Sequence, residues 1–105
     1  MLIAVKISFI NNINMFDKIL SEVLGTFFFL SVILATGEAI PIAIALAAAI
    51  FFTAKISGGH LNPAVSVMMF AKGTIDAVTL ATYIIAQIIG GLLALVFYRA
   101  TLASA

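Results

Sequence analysis

The sequence predicts an all-α membrane protein built from three transmembrane helices and one re-entrant half-helix. Three observations carry that expectation. The first is composition: of 105 residues, 65% are hydrophobic and 9% charged, against roughly 25% charged in a soluble domain. Nine formal charges and a mean hydropathy of +1.32 cannot cover a water-facing surface, so the solvent this chain is built for is lipid. The second is the spacing of those charges, which leaves apolar runs of membrane-crossing length. The third is a polar, glycine-bearing stretch followed by a helix too short to cross.

Composition also excludes whole classes of function. No cysteine is present, so a disulfide framework and a thiolate metal site are both impossible, and a single histidine cannot build a multi-histidine cage. No metal or cofactor is expected. A net charge of +1 gives no electrostatic case for nucleic acid. Catalysis has little support: Ser21, Ser31, Ser57 and Ser66 share one histidine with no acid beside it to orient the ring, and Glu22 and Glu38 fall near opposite membrane faces. The chain is not expected to be an enzyme.

Residues 1–16 mix apolar side chains with Asn11, Asn12 and Asn14 and lack the long apolar core and small-residue cleavage site of a signal peptide. They read as a cytoplasmic lead-in, with the membrane domain running over 17–105. The first helix is placed at about 18–37. Its charge-free part, Val23 to Gly37, is too short to cross alone, so the span must extend back through Glu22. The second helix is placed at about 40–55, opening at Pro41, whose missing N–H suits a first turn. Only Gly37 to Ile40 separates the two, which makes them an antiparallel hairpin. The third, at about 76–99, contains the longest charge-free run, Ala77 to Tyr98, about 33 Å at ~1.5 Å per residue. With the N-terminus inside, Lys6, Lys18, Lys55 and Lys72 share the cytoplasmic side and Arg99 lies outside, so the positive-inside rule favours N-in and C-out.

Between the second and third spans, at about 57–71, lies the stretch that carries function. Asn62-Pro63 is a helix start, asparagine capping and proline filling the first turn, and the apolar run Ala64 to Ala71 gives about two turns before Lys72-Gly73. Such a helix crosses half a membrane. Both flanking spans have their cytoplasmic ends here, so the segment dips in and returns, with the half-helix N-terminus pointing at the bilayer middle. Irregular backbone at that depth must be buried in protein or line a watery path. Gly58 and Gly59 permit a tight turn, carbonyls from Gly58 to Leu61 supply acceptors, Asn62 supplies amide donors, and the positive helix end disfavours cations. These features point to a path for a neutral polar solute.

Ser57-Gly58-Gly59-His60-Leu61-Asn62-Pro63-Ala64-Val65-Ser66 closely resembles the first Asn-Pro-Ala loop of the aquaporin and glycerol-facilitator (major intrinsic protein) family. The resemblance extends to Glu22-Val23-Leu24-Gly25-Thr26-Phe27 in the first helix and to Tyr83-Ile84-Ile85-Ala86-Gln87-Ile88-Ile89-Gly90-Gly91 in the third, covering about residues 16–100. It implies a passive channel for water or a small uncharged solute such as glycerol. It further implies a pore and selectivity set of Gly58, Gly59, His60, Leu61, Asn62, Pro63 and Ala64. Glu22 is expected to accept hydrogen bonds from loop N–H groups, with Gln87 supporting the loop from the third helix. The family pairs two inverted halves, and this sequence resembles the first. A second Asn-Pro-Ala motif and the filter arginine that follows it have no counterpart, and Arg99 is not that arginine. Counting back without gaps, the second-helix filter position falls on Ile42. Conduction is therefore expected to need a second half-channel chain or a homo-oligomer. The rival expectation is a non-conducting membrane interaction protein or a truncated channel fragment.

The remaining residues carry plainer readings. His60 either lines the cytoplasmic mouth or packs as a structural histidine satisfied by backbone. Lys55 snorkels to headgroups. Gly25, Gly90 and Gly91 allow close helix approach, and Tyr98 with Arg99 forms an interfacial anchor.

Overall fold

The computed structural model describes residues 1–5 and 12–103, so the expected lead-in lies partly outside the described residues, Lys6 and Asn11 included. From residue 14 onward the described residues form the helices α1 (Met15–Thr36), α2 (Ala39–Ser57), α3 (Pro63–Lys72) and α4 (Ala77–Phe97), the last running into a π-helical turn at Tyr98–Leu102. Among the described residues there is no strand. α1, α2 and α4 are long and apolar enough to cross a membrane, whereas α3 is apolar but has only 10 residues.

The helix boundaries follow from capping chemistry. α1 begins three residues before the expected start because Asn14 and Asp17 form a reciprocal capping box. Asp17 N donates to Asn14 Oδ1 at 2.9 Å, and Asn14 N donates to Asp17 Oδ2 at 3.2 Å. The expected lead-in therefore gives way to helix at Met15. α1 ends on Gly37, which takes the left-handed conformation (φ 60°) and donates to the Ile33 carbonyl at 2.9 Å. α2 starts at Ala39, two residues before Pro41. Proline is tolerated as the third helical residue because the first-turn N–H groups have no intrahelical partner.

Asp76 caps α4, accepting from Thr79 N at 2.8 Å. The Thr79 side-chain hydroxyl, and then its backbone N–H, hold the Asp76 carboxyl below its ordinary range. A carboxylate with a lowered folded-state pKa stabilises the fold above its unfolded pKa and loses that contribution as pH falls through the folded value. We therefore expect Asp76→Asn to flatten the acid limb of a plot of detergent-micelle stability against pH, with little change at neutral pH. An unchanged acid limb would refute the assignment.

α1 lies between α2 and α4, and α3 packs on α4. The interior is more polar than the exterior. Ser21, Glu22, Thr26, Thr53, Ser57, His60, Ser66 and Gln87 are buried, while Phe51, Phe52, Val78 and Leu92 are exposed. In water that arrangement would be unstable; in lipid the outer apolar side chains meet hydrocarbon and the polar groups satisfy one another. Buried apolar positions are mostly alanines, among them Ala45, Ala49, Ala86 and Ala94, so the helices approach closely.

Candidate functional site

The segment between α2 and α3 turns in five residues. Gly58 (φ 92°) and Gly59 (φ 64°) take left-handed conformations that a Cβ would strain, and Leu61 takes one despite having a side chain (φ 54°). A left-handed non-glycine residue costs about 1–2 kcal/mol, so the surroundings must hold it in place. Glu22 of α1 does so. Its Oε1 accepts from Leu61 N at 2.8 Å, and its Oε2 accepts from His60 N at 3.1 Å.

The carboxylate has two further donors, Ser57 Oγ at 2.6 Å on Oε2 and Gln87 Nε2 at 2.9 Å on Oε1. Four donors from α2, the loop and α4 thus converge on one side chain that is 0% exposed. A buried acid needs this degree of pairing to be tolerated at membrane depth.

Gln87 reaches the loop through Glu22. It contacts no loop N–H; its Nε2 bridges Glu22 Oε1 and Ser66 Oγ, each at 2.9 Å, tying α1 to the half-helix. Ser66, one turn into α3 and fully buried, also meets His60 Nδ1 at 2.9 Å. His60 is therefore packed against a side-chain hydroxyl and the Tyr83 ring, with centroids 5.0 Å apart, rather than against backbone acceptors. Tyr83 in turn donates its hydroxyl to the Ser57 carbonyl at 2.6 Å, which closes the end of α2.

At α3, Asn62 Oδ1 accepts from Ala64 N at 2.8 Å, with Pro63 at the first helical position. That use of Oδ1 leaves the Asn62 amide N–H groups uncommitted, and Asn62, Pro63 and Ala64 are exposed. Leu61 is buried, with its side chain against Gly25, whereas Gly58 is exposed. Ile42 stands half-buried in the first turns of α2, at the opposite end of that helix from the loop, and is not brought into this cluster.

A cavity of about 360 Å³ opens at the α3 N-terminus, lined in part by Thr26, Phe29, Asn62, Pro63, Gln87 and Ile88. Two of these residues carry buried atoms without a partner, Thr26 Oγ1 and Gln87 Oε1. A larger groove of about 580 Å³ between α1 and α2 is mostly apolar and contains no loop residue. Among the described residues, no group of three or more His, Cys, Asp or Glu side chains could hold a metal ion.

The sequence expectation missed Ser57, Ser66 and Tyr83. All three lie in the motifs quoted above, yet nothing local to any of them marks its long-range partner.

The family model for major intrinsic proteins matches residues 9–105. The chain is 43% identical over 86 residues to glycerol uptake facilitator protein-like 6 of Lactiplantibacillus plantarum, covering 73% of this chain and 40% of that protein. It is 36% identical over 95 residues to aquaporin Z of Photorhabdus laumondii, covering 76% of this chain and 41% of that protein. The chain thus spans about two fifths of the length of these relatives. No match was found among solved structures.

Proposed function

The chain belongs to the major intrinsic protein family, and from that premise we propose that its loop and half-helix form one half of a passive transmembrane pore for water or a small uncharged solute such as glycerol. The observation that carries this reading is the latch: a buried carboxylate fixes Leu61 in a left-handed conformation, so loop carbonyls and Asn62 amide donors are held in place before any solute arrives. In this reading Gly58, Gly59, His60 and Leu61 supply the acceptor ladder. Asn62, Pro63 and Ala64 supply the donor end, Glu22 and Gln87 support the loop, and Ile42 sits at the outer constriction. The capped N-terminus of α3 adds a positive field against cations.

Three apolar helices and family membership make the chain an integral membrane protein. The distribution of Lys18, Lys55 and Lys72 against Arg99 supports a cytoplasmic N-terminus. A closed pore needs a second half, on this or another chain, or further copies of this one, because one half-helix lines one side only. The alternative is a non-conducting membrane interaction protein or truncated channel fragment.

The test is stopped-flow light scattering on proteoliposomes of this chain under water and glycerol gradients, beside Asn62→Asp. We expect flux above that of empty liposomes, lost in the variant because a carboxylate replaces the amide donors. Flux no greater than in empty liposomes, with protein folded and inserted, would mean that this chain forms no pore alone, leaving it as half of a pore awaiting its second half or as the alternative.

A further inference from the structure

We propose that the buried network fixes His60 as its Nε2–H tautomer, giving the loop a permanent hydrogen-bond donor beside Gly58 that can meet an acceptor oxygen of a small neutral solute. The role towards a solute rests on the channel reading above; the tautomer does not.

Glu22 Oε1 already accepts from Leu61 N, so the Gln87 atom 2.9 Å away must be a donor, which orients the amide with Nε2 inward. The same Nε2 lies 2.9 Å from Ser66 Oγ, and an amide nitrogen can only donate, so Ser66 accepts there. The Ser66 hydroxyl proton then needs an acceptor. Among the described residues the one other side-chain partner of Ser66 Oγ is His60 Nδ1, at 2.9 Å. With Ser66 0% exposed, a proton on Nδ1 would leave that hydroxyl's own proton unpaired inside the protein. Nδ1 is therefore bare and the ring proton sits on Nε2.

The opposite tautomer requires the whole chain to reverse. Gln87 would have to flip, Glu22 would have to carry a proton among three other donors, and the two amide hydrogens would point where a lone buried oxygen, Oε1, now stands unpaired. Each change adds an unmade bond.

Nε2 faces the loop turn. A Cβ built on Gly58 would lie 3.3 Å from it, Gly58 is exposed, and Nε2 pairs with none of the described residues. The loop thus offers a donor at its Gly58 end and the Asn62 amide donors at its α3 end, with the backbone acceptors between them. A solute bearing hydroxyl or carbonyl oxygens can exchange partners along that line. A cation finds donors at both ends.

His60 is the only histidine in the chain, so one ¹⁵N-histidine label reports on this ring alone. We expect ¹⁵N NMR of the labelled chain in lipid nanodiscs, in mildly alkaline buffer, to show a protonated Nε2 and a bare Nδ1, with the other tautomer at least roughly fivefold rarer. The Nε2–H signal should exchange with water. Ser66→Ala should mix the tautomers and Ser66→Thr should restore the single form. A proton on Nδ1, a doubly protonated ring, or comparable tautomer populations in the unmutated chain would overturn the proposal. An Nε2–H shielded from water would overturn its role as a donor to solute. Failure of flux in the proteoliposome assay with the NMR pattern intact would remove conduction by this chain alone and leave the tautomer standing.

Discussion

Glu22→Ala is expected to release the loop and to cost at least about 3 kcal/mol of stability, the largest effect of any single polar substitution in this chain. The carboxylate receives four donors, from Ser57, His60, Leu61 and Gln87, and none has a solvent route to replace it because Glu22 is completely buried. Truncation leaves two backbone N–H groups unpaired and removes the restraint on Leu61, whose left-handed backbone otherwise relaxes to an extended one. Glu22→Gln separates the contributions. Its oxygen can keep one pair of donors, but its amide nitrogen then faces the other pair, so a smaller loss of about 1–3 kcal/mol is expected. Unfolding by SDS in mixed micelles gives the magnitudes, and hydrogen exchange gives the location. The amides of His60 and Leu61 should exchange faster in both variants while amides in the middle of α4 stay protected. A Glu22→Ala protein within about 0.5 kcal/mol of the parent would show that the latch is not what holds the loop.

Much of this arrangement was legible in the sequence for a physical reason. A charge inside an apolar run and an Asn-Pro pair before a short apolar helix are each expensive in lipid unless something satisfies them, so Glu22, Asn62 and Pro63 stand out in the sequence itself. Gly58 and Gly59 likewise announced a turn, and the three spans followed from the spacing of charges. The early start of α1 was readable too, since Asn14 and Asp17 have capping-box spacing, but the length needed to cross a membrane drew the boundary to Lys18 instead.

What the sequence did not carry is long-range pairing among unremarkable residues. Ser57 meets Glu22 across 35 positions, Gln87 meets Ser66 across 21, and Tyr83 meets the Ser57 carbonyl across 26. Serine and tyrosine are ordinary in membrane helices, and their partners depend on helix rotation, which no periodicity in so uniformly apolar a chain specifies. Leu61 was opaque for a related reason: a left-handed leucine is unfavourable locally and exists because Glu22, far off in sequence, compensates it.

Gly90→Ala is expected to cost about 1–3 kcal/mol, against less than about 1 kcal/mol for Gly91→Ala one position later. The two substitutions add the same methyl group and the same gain in helix propensity, so the difference measures packing alone. At Gly90 the new Cβ would lie 2.7 Å from the Val23 carbonyl oxygen, 3.0 Å from Thr26 Cβ and 3.1 Å from Phe27 N. Two of these are backbone atoms of α1 and cannot step aside, so the helices must separate. At Gly91 the single near neighbour is Leu30 Cδ1 at 3.1 Å, the end of a flexible side chain that can rotate away. Separation of α4 from α1 reaches the loop directly, because Gln87 lies one turn before Gly90 and its 2.9 Å bond to Glu22 cannot stretch by an ångström and survive. Gly90→Ala should therefore also speed amide exchange at His60 and Leu61, in the same direction as Glu22→Gln, whereas Gly91→Ala should leave those amides unchanged. A double variant of Gly90→Ala with Glu22→Gln should then lose less than the sum of the two, since both act through the same carboxylate. Additive losses would mean that the α1 and α4 contact and the loop latch are independent, and that Gly90 serves helix packing without positioning the site.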